Sequence, residues 1–88
     1  MENRQQELLT ILMEECAEVT IECSKIIRFG PNSEYNGETA LERLEKEIGD
    51  LICMIELLHK HDMVSYIGVE DASEAKYEKL KKWSNLID

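Results

Sequence analysis

Hydrophobic and polar residues recur along this chain with the helical period of about 3.6 in three stretches, and no stretch of any length alternates with the period of two that marks a strand. The first stretch runs from about Asn3 to Phe29. On a wheel of about 100° per residue, Leu8, Leu12, Cys16, Val19, Cys23 and Ile26 form one apolar stripe, widened by Leu9 and Ile27. The pair Gly30-Pro31 ends it, because proline offers no amide to continue the ladder. Residues 30–38 read as a loop with Asn36-Gly37 as its turn. Thr39 followed three residues later by Glu42 makes a capping box and starts a second helix that continues to about His61. Its core arc holds Leu41, Leu44, Ile48, Leu51, Ile52, Ile55 and Leu58, extended on one side through Met54 and Leu57. A third helix is predicted from roughly Val69 to Trp83. The class is all-α, a bundle of three main helices in one domain over residues 1–88.

Where the acids fall on those wheels is what needs a cause. Glu47 and Asp50 lie inside the apolar extension of the second helix, bracketed by Leu51, Met54 and Leu57. A carboxylate on a face that wants burial is costly unless it is paired or metal-bound. In the first helix, Glu15 and Glu22 lie on one edge of the stripe, and Glu18 is a further step round, near Ile11 and Lys25. Glu15 and Glu18 are three apart and so share a side. If the two helices pack antiparallel, the two pairs converge. Like charges at roughly 4 Å repel by about 4 kcal/mol at an effective dielectric of about 20, so such a cluster requires cations or protons. All-oxygen ligation with no His or Cys beside it suits Mg²⁺, Mn²⁺ or Ca²⁺ better than zinc or copper. The plain alternative is solvated helix surface, ordinary in a chain with 33% charged residues.

Composition adds a second constraint. A chain of 88 residues buries only about 60–65% of its unfolded surface and is marginal alone. With 43% hydrophobic residues, the expected resolution is a homo-oligomer, dimer or tetramer, in which copies complete one core. Nineteen acids against ten bases give a net charge of −9, which argues against a nucleic-acid binder relying on phosphate contacts. The three cysteines, Cys16, Cys23 and Cys53, have no C-x-x-C spacing and read as buried free thiols in a reducing compartment. Residues 1–7 are polar and no apolar run nears the length of about 20 that a membrane span needs, so a cytoplasmic protein with no membrane partner is expected.

Residues 14–50 carry Glu14-Glu15-x-x-Glu18, then 28 intervening residues, then Glu47-x-x-Asp50. This framework resembles the signature of the MazG-like, all-α nucleoside triphosphate pyrophosphohydrolases. The segment Glu14-Glu15-Cys16-Ala17-Glu18-Val19, with Ser24-Lys25 and Arg28-Phe29-Gly30, is especially similar to the short MazG-like proteins of bacteriophages. Glu47-Ile48-Gly49-Asp50-Leu51 is similar to the family's second half, and Lys76-x-x-Lys79-Leu80 before Trp83 resembles the phage-type ending. The resemblance implies Mg²⁺-dependent cleavage, with Mn²⁺ as a substitute, of a (d)NTP to the monophosphate and pyrophosphate in nucleotide-pool control. It implies that Glu15, Glu18, Glu47 and Asp50 ligate the metal, and it places the protein in the host cytoplasm if a phage encodes it. Glu14 and Glu22 are spare carboxylates that could orient the attacking water, with exposed surface as the alternative for both. One departure is Glu74, which stands where cellular relatives often carry the Asn of an Asn-x-Lys completed here by Lys76.

Several residues keep two readings. Lys25 and Arg28 are candidate phosphate contacts, although Lys25 also suits an ion pair with Glu22. Lys76 and Lys79 could reach a triphosphate, or complement the dipole of their helix. Phe29, Tyr77 and Trp83 could stack on a base, or fill core and interface. Loop residues Asn32, Tyr35 and Asn36 are candidates to read a base. His59 and His61 suit a helix C-terminus better than an H-x-H metal site. The rival enzyme is phosphoribosyl-ATP pyrophosphohydrolase, whose Ala-Asp-Leu with a following Tyr-His is replaced here by Gly49-Asp50-Leu51-Ile52-Cys53. The rival of another class is an acidic inhibitor or DNA mimic, supported by the net charge.

Overall fold

A computed structural model describes residues 1–87. It contains three helices, α1 (Asn3–Phe29), α2 (Ala40–Lys60) and α3 (Tyr66–Trp83), and a small antiparallel hairpin, β1 (Glu34–Tyr35) with β2 (Glu38–Thr39), between the first two. The all-α class expected from the periodicity holds, with the hairpin as an addition. Asn36 (φ 50°) and Gly37 (φ 81°) both take positive φ, the geometry of a two-residue turn whose twist matches the flanking strands. Four paired residues carry too little alternation to be read as strands.

Local chemistry sets each boundary. Gly30, at φ 94°, closes α1 by donating its N–H to Ile26 O at 2.8 Å. Leu41 N–H donates to Pro31 O at 3.2 Å, which ties the loop to the start of α2. Thr39 Oγ1 accepts from Glu42 N–H at 3.2 Å and Glu42 Oε1 accepts from Thr39 N–H at 2.9 Å, completing the predicted capping box. At the other end of α2, Met63 N–H reaches Leu58 O and Asp62 N–H reaches His59 O, with Asp62 at φ 60°. This is a Schellman cap, and Met63 packs back on the cluster that contains Leu58. α3 begins at Tyr66, three residues before the predicted Val69, because Ser65 Oγ accepts from Gly68 N–H at 3.0 Å and caps it.

α1 and α2 pack antiparallel. Leu8, Met54 and Leu58 are buried between them, with Leu9, Ile11, Leu12, Leu57 and Met63 partly so. Of the rest of the expected core, Val19, Ile26, Leu44, Leu51 and Ile55 are half-buried and the others stay exposed. Leu41, Ile48 and Ile52 stay 40–48% exposed, and Cys16, Cys23 and Cys53 are free but exposed, correcting the expectation of buried thiols. Each apolar stripe is wider than the one neighbouring helix, so its far side faces outward. α3 buries no residue. The accessible surface is 7028 Å², against about 5,300 Å² for a compact protein of 10.2 kDa. The radius of gyration is 15.8 Å, against about 12 Å for a compact domain of this length. Among the described residues, no helix is long and apolar enough to cross a membrane.

The capping box gives the first test. Thr39→Ala is expected to remove about 1 kcal/mol of stability, lowering the melting temperature by about 4–8 °C in a thermal scan by circular dichroism.

Candidate metal centre

The antiparallel register carries the acids of α1 past those of α2. Glu22 Oε1 lies 3.5 Å from Arg43 Nε, and the same register sets Glu18 towards Glu47 and Glu15 towards Asp50. One carboxylate oxygen from each of Glu15, Glu47 and Asp50 can be chosen so that all three lie within 4.8 Å of one another. Glu15 and Glu47 are half-buried and Asp50 is exposed. Glu18 is exposed and contributes no oxygen to that group. Its charge still acts on both Glu15 and Glu47. Three of the four predicted ligands are therefore together, and the fourth stands just outside.

Burial, and then the neighbouring charges of Asp50, Glu18 and Glu14, push the Glu15 carboxyl above its ordinary value. Burial pushes Glu47 the same way, reinforced by Asp50, Glu18, Glu15 and Glu22. Glu15 Oε2 is buried and accepts no hydrogen bond among the described residues. An anionic oxygen removed from water, left without a donor and surrounded by like charge is unstable unless a cation or a proton reaches it. Lys46, the residue before Glu47 on α2, has its ammonium held by Glu38 at 2.9 Å. A donor set of carboxylates alone fits a hard divalent cation such as Mg²⁺ or Mn²⁺.

One helical turn beyond lies a second charged group. Glu22 is only 6% exposed, which corrects its reading as exposed surface. Its Oε1 sits 3.5 Å from both Lys25 Nζ and Arg43 Nε, so the expected Lys25–Glu22 pair is present. Arg43 also donates from Nη1 to Glu38 O at 2.8 Å, fastening the hairpin to α2. The sequence reading passed over Arg43. Its signal was the position four residues before Glu47, on the same face, opposite Glu22 in an antiparallel register.

The remaining candidates are more dispersed. Glu14 is exposed. Arg28 lies over the Phe29 ring at 5.1 Å. Lys76 and Lys79 stand exposed on α3 and take part in none of the ion pairs among the described residues. Tyr77 and Trp83 are 49% and 83% exposed. His59 packs on Tyr66 with ring centroids 3.7 Å apart, and neither it nor His61 joins a metal-ligand group among the described residues. No protein-family model, curated protein or solved structure matches the chain.

The raised carboxyls set the sign of a pH effect. Above the ordinary value of 4.5, the folded state holds protons on Glu15 and Glu47 that the unfolded chain has released. Stability from these two groups therefore falls as pH rises through that window. Glu42, held below its ordinary value by hydrogen bonds to Thr39, acts with the opposite sign, so the difference between wild type and Glu47→Gln isolates the cluster. Without metal, Glu47→Gln is expected to melt higher than wild type at neutral pH, and the gap to close on acidification. Mg²⁺ at about a hundred times its Kd should stabilise wild type by about 2.7 kcal/mol, a rise of about 10–20 °C, and the variant by much less.

Proposed function

We propose that this chain is a Mg²⁺-dependent nucleoside triphosphate pyrophosphohydrolase of MazG-like type, cleaving canonical or modified (d)NTPs to the monophosphate and pyrophosphate. The observation that supports it most is the convergence of Glu15, Glu47 and Asp50 from two helices around an orphaned carboxylate oxygen. The framework on which they sit is the one whose wording resembles that family. In this reading Glu15, Glu47 and Asp50 would hold the metal, with Glu18, whose charge already acts on Glu15 and Glu47, as the further candidate ligand. A bound divalent ion supplies the charge neutralisation that a triphosphate needs in order to approach a carboxylate cluster.

The chain's own residues do the rest. Glu14, exposed beside Glu15, holds a water and accepts its proton as the water's oxygen bonds to phosphorus. The phosphoanhydride between the α- and β-phosphates breaks, and pyrophosphate leaves. Glu22, buried between Arg43 and Lys25, suits a positioning role, fixing both cations beside the cluster. Arg28 adds positive charge at the same end of α1.

The reading includes a homo-oligomer of at least two copies. The excess surface of about 1,700 Å² per chain over a compact monomer corresponds to about 3,400 Å² in a pair, within the range of obligate interfaces. The exposed row Leu41, Ile48 and Ile52 on α2 supplies apolar area for it. Lys76 and Lys79 on the unburied α3 then approach a triphosphate from a neighbouring copy.

Two measurements test this. Pyrophosphate release from a panel of NTPs and dNTPs with Mg²⁺ should be rapid for wild type, and fall to background in the Glu47→Ala, Asp50→Ala double variant. Equal release from the two would sink the enzyme reading, and partner binding that survives chelation and both substitutions would favour the acidic-inhibitor rival. Light scattering should give at least twice the 10.2 kDa chain mass for wild type and a smaller species for Ile52→Asp, whereas a monomeric wild type would contradict the shared core.

A further inference from the structure

The groups described so far lie in a line. On α1, Glu15, Glu18, Glu22, Lys25 and Phe29 share an arc of about 80°. They are spread over about 21 Å at 1.5 Å per residue. On α2, Asp50, Glu47 and Arg43 share an arc of about 60° and follow in the same spatial order. The two helices thus make a graded track, with carboxylates at one end, the Glu22–Arg43–Lys25 ion pairs in the middle, and aromatic rings at the other.

That far end is a recess of about 380 Å³ lined by Lys25, Phe29, Ser33, Glu34, Tyr35 and Arg43. Its volume falls within the range of about 300–1,000 Å³ common for small-molecule sites. Phe29 and Tyr35 bring two rings to it that are 65% and 69% exposed. Exposed rings are expensive to leave in water, yet this pair is held in place. Phe29 ends α1, where Gly30 stops the helix. Tyr35 pairs with Glu38 in the hairpin, and Glu38 is fastened to α2 by Arg43 and Lys46. Between the rings and the acids, Arg43 is 17% exposed and committed to Glu22, while Lys25 is 42% exposed at its side chain and able to turn to an anion.

Resting on the pyrophosphohydrolase reading, we propose that this recess receives the base and sugar of the nucleotide. Phe29 and Tyr35 stack on the base, Lys25 contacts the phosphate nearest the sugar, and the phosphate chain runs along the track to the carboxylates. On α2 the recess residue Arg43 lies about 6 Å along the helix from Glu47 and about 10 Å from Asp50 at 1.5 Å per residue, a distance that a triphosphate chain can bridge. Stacking accepts any base face, so the pocket accounts for binding a nucleobase without choosing among bases.

The test separates this inference from the reading beneath it. Calorimetric titration uses the four deoxynucleoside monophosphates, which carry the base but no cleavable anhydride, and inorganic tripolyphosphate, which carries no base. Phe29→Ala and Tyr35→Ala, both at exposed positions, are each expected to weaken the monophosphates by about tenfold and leave tripolyphosphate unchanged. Tyr35→Phe should retain wild-type affinity. Monophosphate affinities unchanged in both alanine variants, or an equal loss for tripolyphosphate, would overturn the base pocket. If wild type nevertheless releases pyrophosphate, the enzyme reading stands without it. Wild-type failure to release pyrophosphate, with ring-dependent monophosphate binding intact, would instead retire the enzyme reading and leave a nucleotide-binding pocket.

Discussion

Carboxylates forced together between two packed helices are the constraint on which the rest of this structure turns. The antiparallel contact of α1 and α2 buries Leu8, Met54 and Leu58 at one end and, by the same register, brings Glu15, Glu47 and Asp50 within 4.8 Å of one another at the middle. Hydrophobic burial and charge repulsion are therefore coupled: neither helix can seat its leucines without seating its acids. Near the hairpin the register sets opposite charge against the acid, with Lys25 and Arg43 each 3.5 Å from Glu22 Oε1, although that oxygen too accepts no hydrogen bond among the described residues. At Glu15 it does not, and an oxygen is left without a donor. The Glu15 and Glu47 carboxylates are left facing like charge, and neither takes part in an ion pair among the described residues.

A second incompleteness accompanies the first. Two helices can cover only one side of each other's apolar stripes, and α3 covers neither, which leaves Ile48, Ile52 and the three cysteines in the open. A partner copy would bury that surface, just as a cation would satisfy the carboxylates.

Most of the helical frame was legible because strong local chemistry marks it: Gly30-Pro31, the Thr39–Glu42 box and the 3.6 periodicity each have one physical meaning. The start of α3 was not, since Ser65 as a cap lies among residues with no apolar rhythm, and the hairpin was too short to show a period of two. Glu47 and Asp50 were conspicuous because they interrupt an apolar arc. Glu15 and Glu18 depended on the resemblance, and the structure separates them, with Glu15 half-buried and Glu18 exposed. The ion pair of Glu22 with Arg43 emerges only when the antiparallel register that sets Glu18 towards Glu47 is carried one turn further along both helices. Cys16 and Cys23 misled for the opposite reason: their stripe is apolar, but burial depends on what packs against it.

The central claim is that Glu15, Glu47 and Asp50 form a divalent-cation site, and Mn²⁺ reports on it without reference to any substrate. In an electron paramagnetic resonance titration, the six-line signal of free Mn²⁺ should be suppressed until the site fills, with Mg²⁺ competing. Replacing Glu15 and Glu47 together by Gln should restore the free-ion signal from the first addition. Wild type and variant leaving the same amount of Mn²⁺ free throughout would contradict the account.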